Sequence, residues 1–385
     1  MTKRLLFLLK NYRQGVHRVS SFNFQQSRNF VHVPVLVNEA VTAWRGSWPR
    51  SSSPLYFCDV TCGGGGHSLA LLAAEPNAHL LCIDRDPDAI GTCRERLAQY
   101  SRAKVEMGAF ASLRQVMKRA DFPPVTSNSS AVPANRTNLQ LHGVIADLGI
   151  SSHQLDMPER GFSFRLDGPL DMRMERKKST RAPQDEAARG KGLLSPIEAT
   201  SLDYEDDSST TNAVTAADLV NHLPEAELKR LLTDYGEERL SGRVARAIVQ
   251  RRATKPFTRT LDLADVVSTT LRSAARSGLG PSLGFGHPAT RTFMALRIAV
   301  NSELRQLQKL LVMVPPLLAP GASLVVISFH SLEDRMVKQS FASLPSSEFT
   351  ASKDVIVASS DEVFRNPRAR SAKMRVLTKS LVEQK

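Results

Sequence analysis

The chain has 385 residues, 42% of them apolar, with a mean hydropathy of −0.22, so it can bury the core of one large or two ordinary domains. It contains no run of about eighteen apolar residues, which excludes a helical membrane span. The net charge of +13 points toward a polyanionic partner.

Residues 1–30 carry Lys3, Arg4, Lys10, Arg13, Arg18 and Arg28, and no acid precedes Glu39. Basic, acid-free and dotted with Leu, Phe and Ser, this leader is expected to be a mitochondrial transit peptide, placing the mature protein in the mitochondrial matrix. The alternative is a basic tail that touches RNA. Setting those six cations aside leaves a net +7, so the remainder is still suited to a polyanion. Val33 to Val41 runs into a first helix, and Trp44 to Pro54 is a Ser/Pro-rich loop.

The stretch Tyr56-Phe57-Cys58-Asp59-Val60-Thr61-Cys62-Gly63-Gly64-Gly65-Gly66-His67-Ser68 organises the rest of the chain. A strand-favouring run enters four glycines, and helix-forming Leu69 to Ala74 comes after them. Glycine allows positive φ and carries no Cβ, so the backbone there can press against a nucleotide-like ligand. The next apolar run, Leu80 to Ile83, ends at Asp84, about twenty residues on, where such a site needs a carboxylate for ribose hydroxyls. Ser68 stands where a nicotinamide fingerprint wants a third small residue, and this favours S-adenosylmethionine as the ligand.

Cys58, Cys62, Cys82 and Cys93 lie among apolar neighbours, which suits buried thiols better than a disulfide framework. Cys58, Cys62 and His67 lack a fourth ligand at zinc spacing, so no metal is expected. Asp86 and Pro87 read as the cap and first turn of a helix to about Tyr100. Val105-Glu106-Met107 is a third strand, after which Phe110 suits either adenine stacking or core packing. Residues 122–140 are a polar insertion, and Leu141 to Asp147 restores a buried strand that again ends in an acid. Alternating strands and helices imply a parallel sheet whose ligands gather beyond the carboxyl ends of the strands. Asp59, Asp84 and Asp147 all fall there.

Beyond the Asp147 turn, Gly161-Phe162-Ser163-Phe164-Arg165 offers two aromatics and a cation for RNA, or a short strand in an inserted domain. Asp171 and Arg173 read as a structural pair. Helical patterning over Ala216 to Thr233 and Glu237 to Arg252 buries Leu240, Val244 and Ile248, and puts Arg239, Arg243, Arg246 and Arg251 elsewhere, on RNA or simply in solvent. Phe293, Leu296, Val300, Leu304, Leu307 and Leu311 form the apolar stripe of one helix opening near Thr290, with Arg291, Arg297 and Asn301 off the stripe as candidates for a target nucleotide. Ser323 to His330 is a late core strand. Ser331 with Asp334 resembles a capping box, and His330 reads better as a structural histidine than as an acid or base. Arg368 and Arg370 extend the basic surface.

Several blocks resemble the MraW/RsmH family: Asp59-x-Thr61-x-Gly63-Gly64-Gly65-Gly66-His67-Ser68, Asp84-Arg85-Asp86-Pro87, Asp147-Leu148-Gly149-Ile150-Ser151-Ser152-x-Gln154-Leu155-Asp156, and Glu159-Arg160-Gly161-Phe162-Ser163-Phe164. Asp167 to Met174, Tyr235 to Arg239, His287 to Phe293, Ser328 to Arg335 and Asn366 to Ser371 continue the series in order. The resemblance implies an α/β, Rossmann-like class I S-adenosylmethionine methyltransferase core with an inserted helical domain. It implies N4-methylation of a cytidine in small-subunit ribosomal RNA. With the leader, the chain resembles the family's mitochondrial member, whose partners would be the organelle's small-subunit ribosomal RNA, the assembling subunit and its assembly factors. The expected divisions are a leader over 1–30, core over 31–154, insertion over 155–285 with 176–212 lacking fixed structure, and core again over 286–385. Carried over residue by residue, the cofactor contacts are Gly65, Gly66 and His67 in the turn, Asp84 at the ribose, Phe110 near adenine, and Asp147 with Gln154 near the methionine end. Asp147 is also the candidate catalytic residue, orienting the target amine.

Overall fold

The computed structural model describes residues 34–46, 53–124, 140–175, 214–278 and 286–381. The expected leader, most of the 122–140 insertion and the whole 176–212 stretch lie outside the described residues.

Strands form on the apolar runs: β1 Leu55–Asp59, β2 Ala78–Asp84, β3 Ala103–Met107, β4 Leu141–Asp147 and β5 Leu318–Ser328. They pair in parallel, in the order β3-β2-β1-β4-β5. The chain then adds β6 Phe349–Ala351, β7 Ile356–Val357 and β8 Lys373–Lys379, and β8 enters antiparallel between β5 and β6. This doubly wound order, with one reversed strand near its edge, is the Rossmann-like methyltransferase sheet expected from the sequence.

Side chains alternate across the strands, so each strand feeds two cores. Phe57, Leu80, Cys82, Ile145, Val325 and Ile327 face a cluster built with Trp44, Leu71 and Met374. Cys58, Leu81, Ile83, Val144, Ala146, Leu324 and Val326 face the opposite cluster with Leu310, Leu311 and Phe341. All four cysteines are buried and free, as their apolar surroundings imply. No helix among the described residues is long and apolar enough to cross a membrane.

A third cluster belongs to the helical insertion. It gathers the helices Ala216–His222, Glu225–Asp234, Ser241–Arg252 and Thr260–Arg276 around Leu231, Val244, Ile248, Phe257 and Val267. Phe293 and Leu296 of the helix Thr290–Asn301 reach into the same cluster, so this returning helix is shared with the insertion.

Two expected helices are each broken in two. Pro224 disfavours helical geometry in the residue before it, and Leu223 is extended at φ −63 and ψ 137, which ends the first insertion helix at His222. Ser302 adopts φ 50, splitting the stripe from Phe293 to Leu311 into Thr290–Asn301 and Glu303–Met313. The reversal brings Glu303 back onto Arg297 in a two-pronged contact of 2.8 Å on each arm. The late strand also begins five residues earlier than expected, at Leu318, because Leu318 pairs with Leu141 across a register shift.

Close packing beneath the sheet has one severe point. A Cβ on Gly143 would stand 2.4 Å from the Trp44 carbonyl oxygen and 2.9 Å from Phe57. Gly143→Ala is expected to cost about 1–3 kcal/mol of stability, read as a lower urea midpoint with unchanged slope, and a midpoint equal to wild type would contradict this packing.

Candidate active site

The glycine turn joins β1 to the helix Gly66–Ala74. Gly65 sits at φ +75 as the residue before that helix, a conformation that a Cβ would strain. No side chain caps the helix, so its first N–H groups are left for solvent or ligand. On Gly63 the Cβ direction meets nothing within 4 Å, so open space borders the turn.

Asp84 ends β2 and fastens the turn from below. Its Oδ2 accepts from the Gly63 N–H at 2.9 Å and its Oδ1 from the Asp86 N–H at 2.9 Å. Burial pushes its pKa up to about 6 despite those donors. Asp59, ending β1, is buried further: Oδ2 accepts from Ser68 Oγ at 2.6 Å and Oδ1 from the Thr61 N–H at 3.3 Å. Burial raises its pKa to about 7.

Asp147 ends β4 beside the turn. Its N–H donates to Thr61 Oγ1 at 2.6 Å, which seats β4 against the approach to the glycines. Its carboxylate is otherwise poorly served: Oδ1 is buried with no hydrogen-bond partner, and Oδ2 lies 3.7 Å from His67 Nδ1. Burial, then the charges of Asp59 and Glu333, push its pKa well above the ordinary carboxylate value. His67 Nε2 is 2.9 Å from the Val35 carbonyl oxygen, which can only accept, so Nε2 carries the proton and Nδ1 faces Asp147.

Gly65, Gly66, His67, Asp84 and Asp147 therefore meet at one edge of the sheet. Phe110 opens a short 3-10 turn just past β3 and leans on the core cluster there. Gln154 is placed differently from a ligand-facing amide. Its Oε1 accepts from the Ser151 N–H at 3.0 Å in a capping box, and its Nε2 donates to Asp86 Oδ2 at 2.6 Å.

Other candidates are occupied within the protein. Phe162 is buried in the insertion's cluster, and Phe164 stacks on His287 at 4.6 Å and meets Phe293 edge-on. Arg297 is spent on Glu303, and Asn301 holds Met172 and Met174 through their backbone. Asp171 and Arg173 form the structural pair expected of them. The expected Ser331 and Asp334 capping box is not formed. His330 caps that helix, because Ser331 Oγ is drawn to Glu237 and Asp334 to Lys373 and Arg375.

Sequence reasoning overlooked Arg160. It is buried and donates to Asp86 at 2.8 Å, to Asp88 at 3.0 Å and to the Met174 carbonyl at 3.0 Å. An arginine between Glu159 and Gly161 carries no burial signal of its own, since its acidic partners lie more than seventy residues earlier.

The description "MraW methylase family" fits this chain over residues 29–185 and 184–380, nearly all of its length. The chain belongs to this family. It is 39% identical over 362 residues to ribosomal RNA small subunit methyltransferase H of Synechococcus elongatus, covering 93% of this chain and 98% of the relative. It is 37% identical over 353 residues to the protein of the same name from Nostoc, covering 91% and 93%. An rRNA methylase structure from Streptococcus thermophilus aligns over 85% of this chain and 88% of its own at 9% identity, with a TM-score of 0.32, too low to bear on the argument. As a member of the MraW family the chain is an S-adenosylmethionine-dependent methyltransferase. The open face at Gly63 and the unpartnered Asp147 Oδ1 fit that donor, which needs bare main chain and acceptors for its polar groups.

For the unliganded protein the buried acids set a pH dependence. A carboxyl whose folded pKa is raised binds its proton more tightly in the folded state, so the stability it lends at low pH is lost as pH climbs from about 4 through the raised value. Asp59, with its pKa near 7, makes this loss largest between about pH 4 and 7, at most about 1.4 kcal/mol per pH unit for one group. Asp59→Asn is expected to flatten melting temperature against pH across that window. A variant whose profile keeps the wild-type slope would remove Asp59 from this role.

Proposed function

We propose that this methyltransferase modifies N4 of a cytidine in the small-subunit ribosomal RNA of mitochondria, acting in the matrix on RNA or the assembling subunit alongside assembly factors. The Synechococcus and Nostoc relatives, called ribosomal RNA small subunit methyltransferases, support the RNA. The acid-free leader supports the compartment, and the basic balance of the chain supports a polyanionic substrate.

The observation that carries the chemistry is the buried, unpartnered Oδ1 of Asp147 at the carboxyl end of β4, beside the glycine turn. When bound, S-adenosylmethionine supplies a methyl on a sulfonium, whose displacement leaves a neutral thioether. In this reading Gly65 and Gly66 would give the donor bare main chain, His67 would contact it from the same turn, Asp84 would accept from the ribose hydroxyls, and Phe110 would serve the adenine. Gln154 contributes by holding Asp86, the residue whose N–H binds Asp84.

Cytosine N4 is a weak nucleophile because its lone pair is delocalised into the ring. Asp147 Oδ1 accepts a hydrogen bond from that amine and so turns the lone pair toward the methyl group. As the amine becomes cationic, the same carboxylate takes its proton, a transfer eased by the burial that already disfavours the ionised acid. His67, anchored by its Nε2–H on the Val35 carbonyl, keeps Nδ1 beside the acid and limits its rotation.

Asp147→Asn keeps the size and loses the proton acceptor. With donor saturating, its single-turnover methylation rate should fall by about 10²–10⁴-fold, and a rate near wild type would leave Asp147 only a binding role. Donor affinity should weaken as pH falls below about 6, where Asp84 takes up a proton, and Asp84→Asn should abolish that dependence in calorimetry. Cells lacking the protein should lose one N4-methylcytidine from mitochondrial small-subunit RNA by mass analysis. Unchanged methylation there would instead favour an assembly factor with a structural donor pocket.

A further inference from the structure

Because β8 is antiparallel, it begins where β5 ends: Lys373 pairs with Ser328, the last residue of β5. The segment leading into β8, residues 358–372, therefore hangs from the carboxyl edge of the sheet, the edge where open α/β sheets take their ligands. Two contacts fix it to segments that adjoin the active site. Glu362 Oε1 accepts from the Leu36 N–H at 2.7 Å, one residue beyond the Val35 carbonyl that holds His67. Arg368 donates to Asp156 at 2.7 Å, at the end of the short helix Ser152–Asp156 that comes after the Asp147 turn.

On this rim the helix Ser360–Arg365 presents Phe364, 89% exposed, the most exposed large apolar side chain among the described residues. Its ring meets no other aromatic ring there. Arg365 and Arg370, one and six residues after it, are both exposed, and Arg370 makes no hydrogen bond or ion pair among the described residues. Of the two acids in the segment Glu362 is committed to Leu36, and of its three arginines Arg368 is committed to Asp156, which leaves Asp361 against Arg365 and Arg370.

A base that is to be methylated at its edge must leave its stack, and its neighbours then lose a stacking partner. An uncovered ring on one short segment with two exposed guanidinium groups offers both things a single strand needs, a π-face for a base and cations for phosphates. We propose that Phe364 is a stacking platform for an unpaired base next to the target cytidine, with Arg365 and Arg370 on the adjoining phosphates. This rests on the proposed action on RNA. The cations favour RNA over a protein, for which a lone exposed ring among arginines is a poor apolar anchor.

The test uses the full chain and a single-stranded fragment of small-subunit ribosomal RNA that the wild type methylates. Phe364→Ala and Phe364→Leu should each raise the KM for RNA about tenfold to a hundredfold, Phe364→Trp should restore it, and donor affinity by calorimetry should not move. Arg370→Gln should lower the slope of log affinity against log salt by about one. Leu performing as well as Phe, or Ala leaving KM unchanged, overturns the platform and points to a protein contact or a bare surface. Wild-type protein that takes up the donor but neither binds nor methylates the RNA overturns the function itself, and the platform with it.

Discussion

Asp86 is the contact on which the rest of the molecule hinges. One oxygen caps the helix Pro87–Leu97, and the other receives both Gln154 and Arg160 inside the protein. Its N–H holds the Asp84 carboxylate, so the end of β2, the turn after β4 and the start of the insertion are joined at a single residue. The chain then closes the circuit: Arg160 binds the Met174 carbonyl, Asn301 binds the Met174 N–H, and Arg85 binds the Asn301 carbonyl. A buried ion pair of this kind adds little net stability compared with an apolar replacement, and much is lost when one partner is removed alone. Its value here is geometric, since it fixes the insertion relative to the carboxyl edge.

That edge is electrostatically uneasy. Asp59, Asp84 and Asp147 lie within one buried region, and two of them raise the pKa of their neighbours. The few cations nearby are engaged elsewhere: Arg297 on Glu303, Arg160 on Asp86 and Asp88, and Arg85 on the Asn301 carbonyl. A site left short of positive charge suits a ligand that brings its own, and a sulfonium does so. Binding it would ease the repulsion among the acids, and once the donor is a neutral thioether and Asp147 has passed its proton to solvent that repulsion would return, which favours release of the demethylated donor.

Much of this was legible in the sequence, for local reasons. The strands end at Asp59, Asp84 and Asp147 because apolar runs and turn residues announce themselves within a few positions. The glycine turn is equally local. The features that escaped depend on distant partners. Phe162 looked available for a base until the insertion's helices covered it. Ser331 and Asp334 had the spacing of a capping box, yet Glu237, Lys373 and Arg375 draw both side chains away from the helix end. Arg160 gave no sign of burial because its acids lie on the far side of β3 and β4 in the chain. The break at Ser302 lay hidden inside an apolar stripe that runs unbroken through both helices.

The placement of β8 has a consequence for the order in which the protein can be made. The other four parallel strands find their neighbours within the first 328 residues, but β5 keeps one open side until residues 373–379 have left the ribosome. Until then its inner hydrogen-bonding groups form an unpaired, strongly apolar ribbon, the kind of edge that recruits other chains. A nascent chain that stops short of β8 is thus sticky along β5, and a chaperone that shields it has to stay until residues 373–379 have emerged.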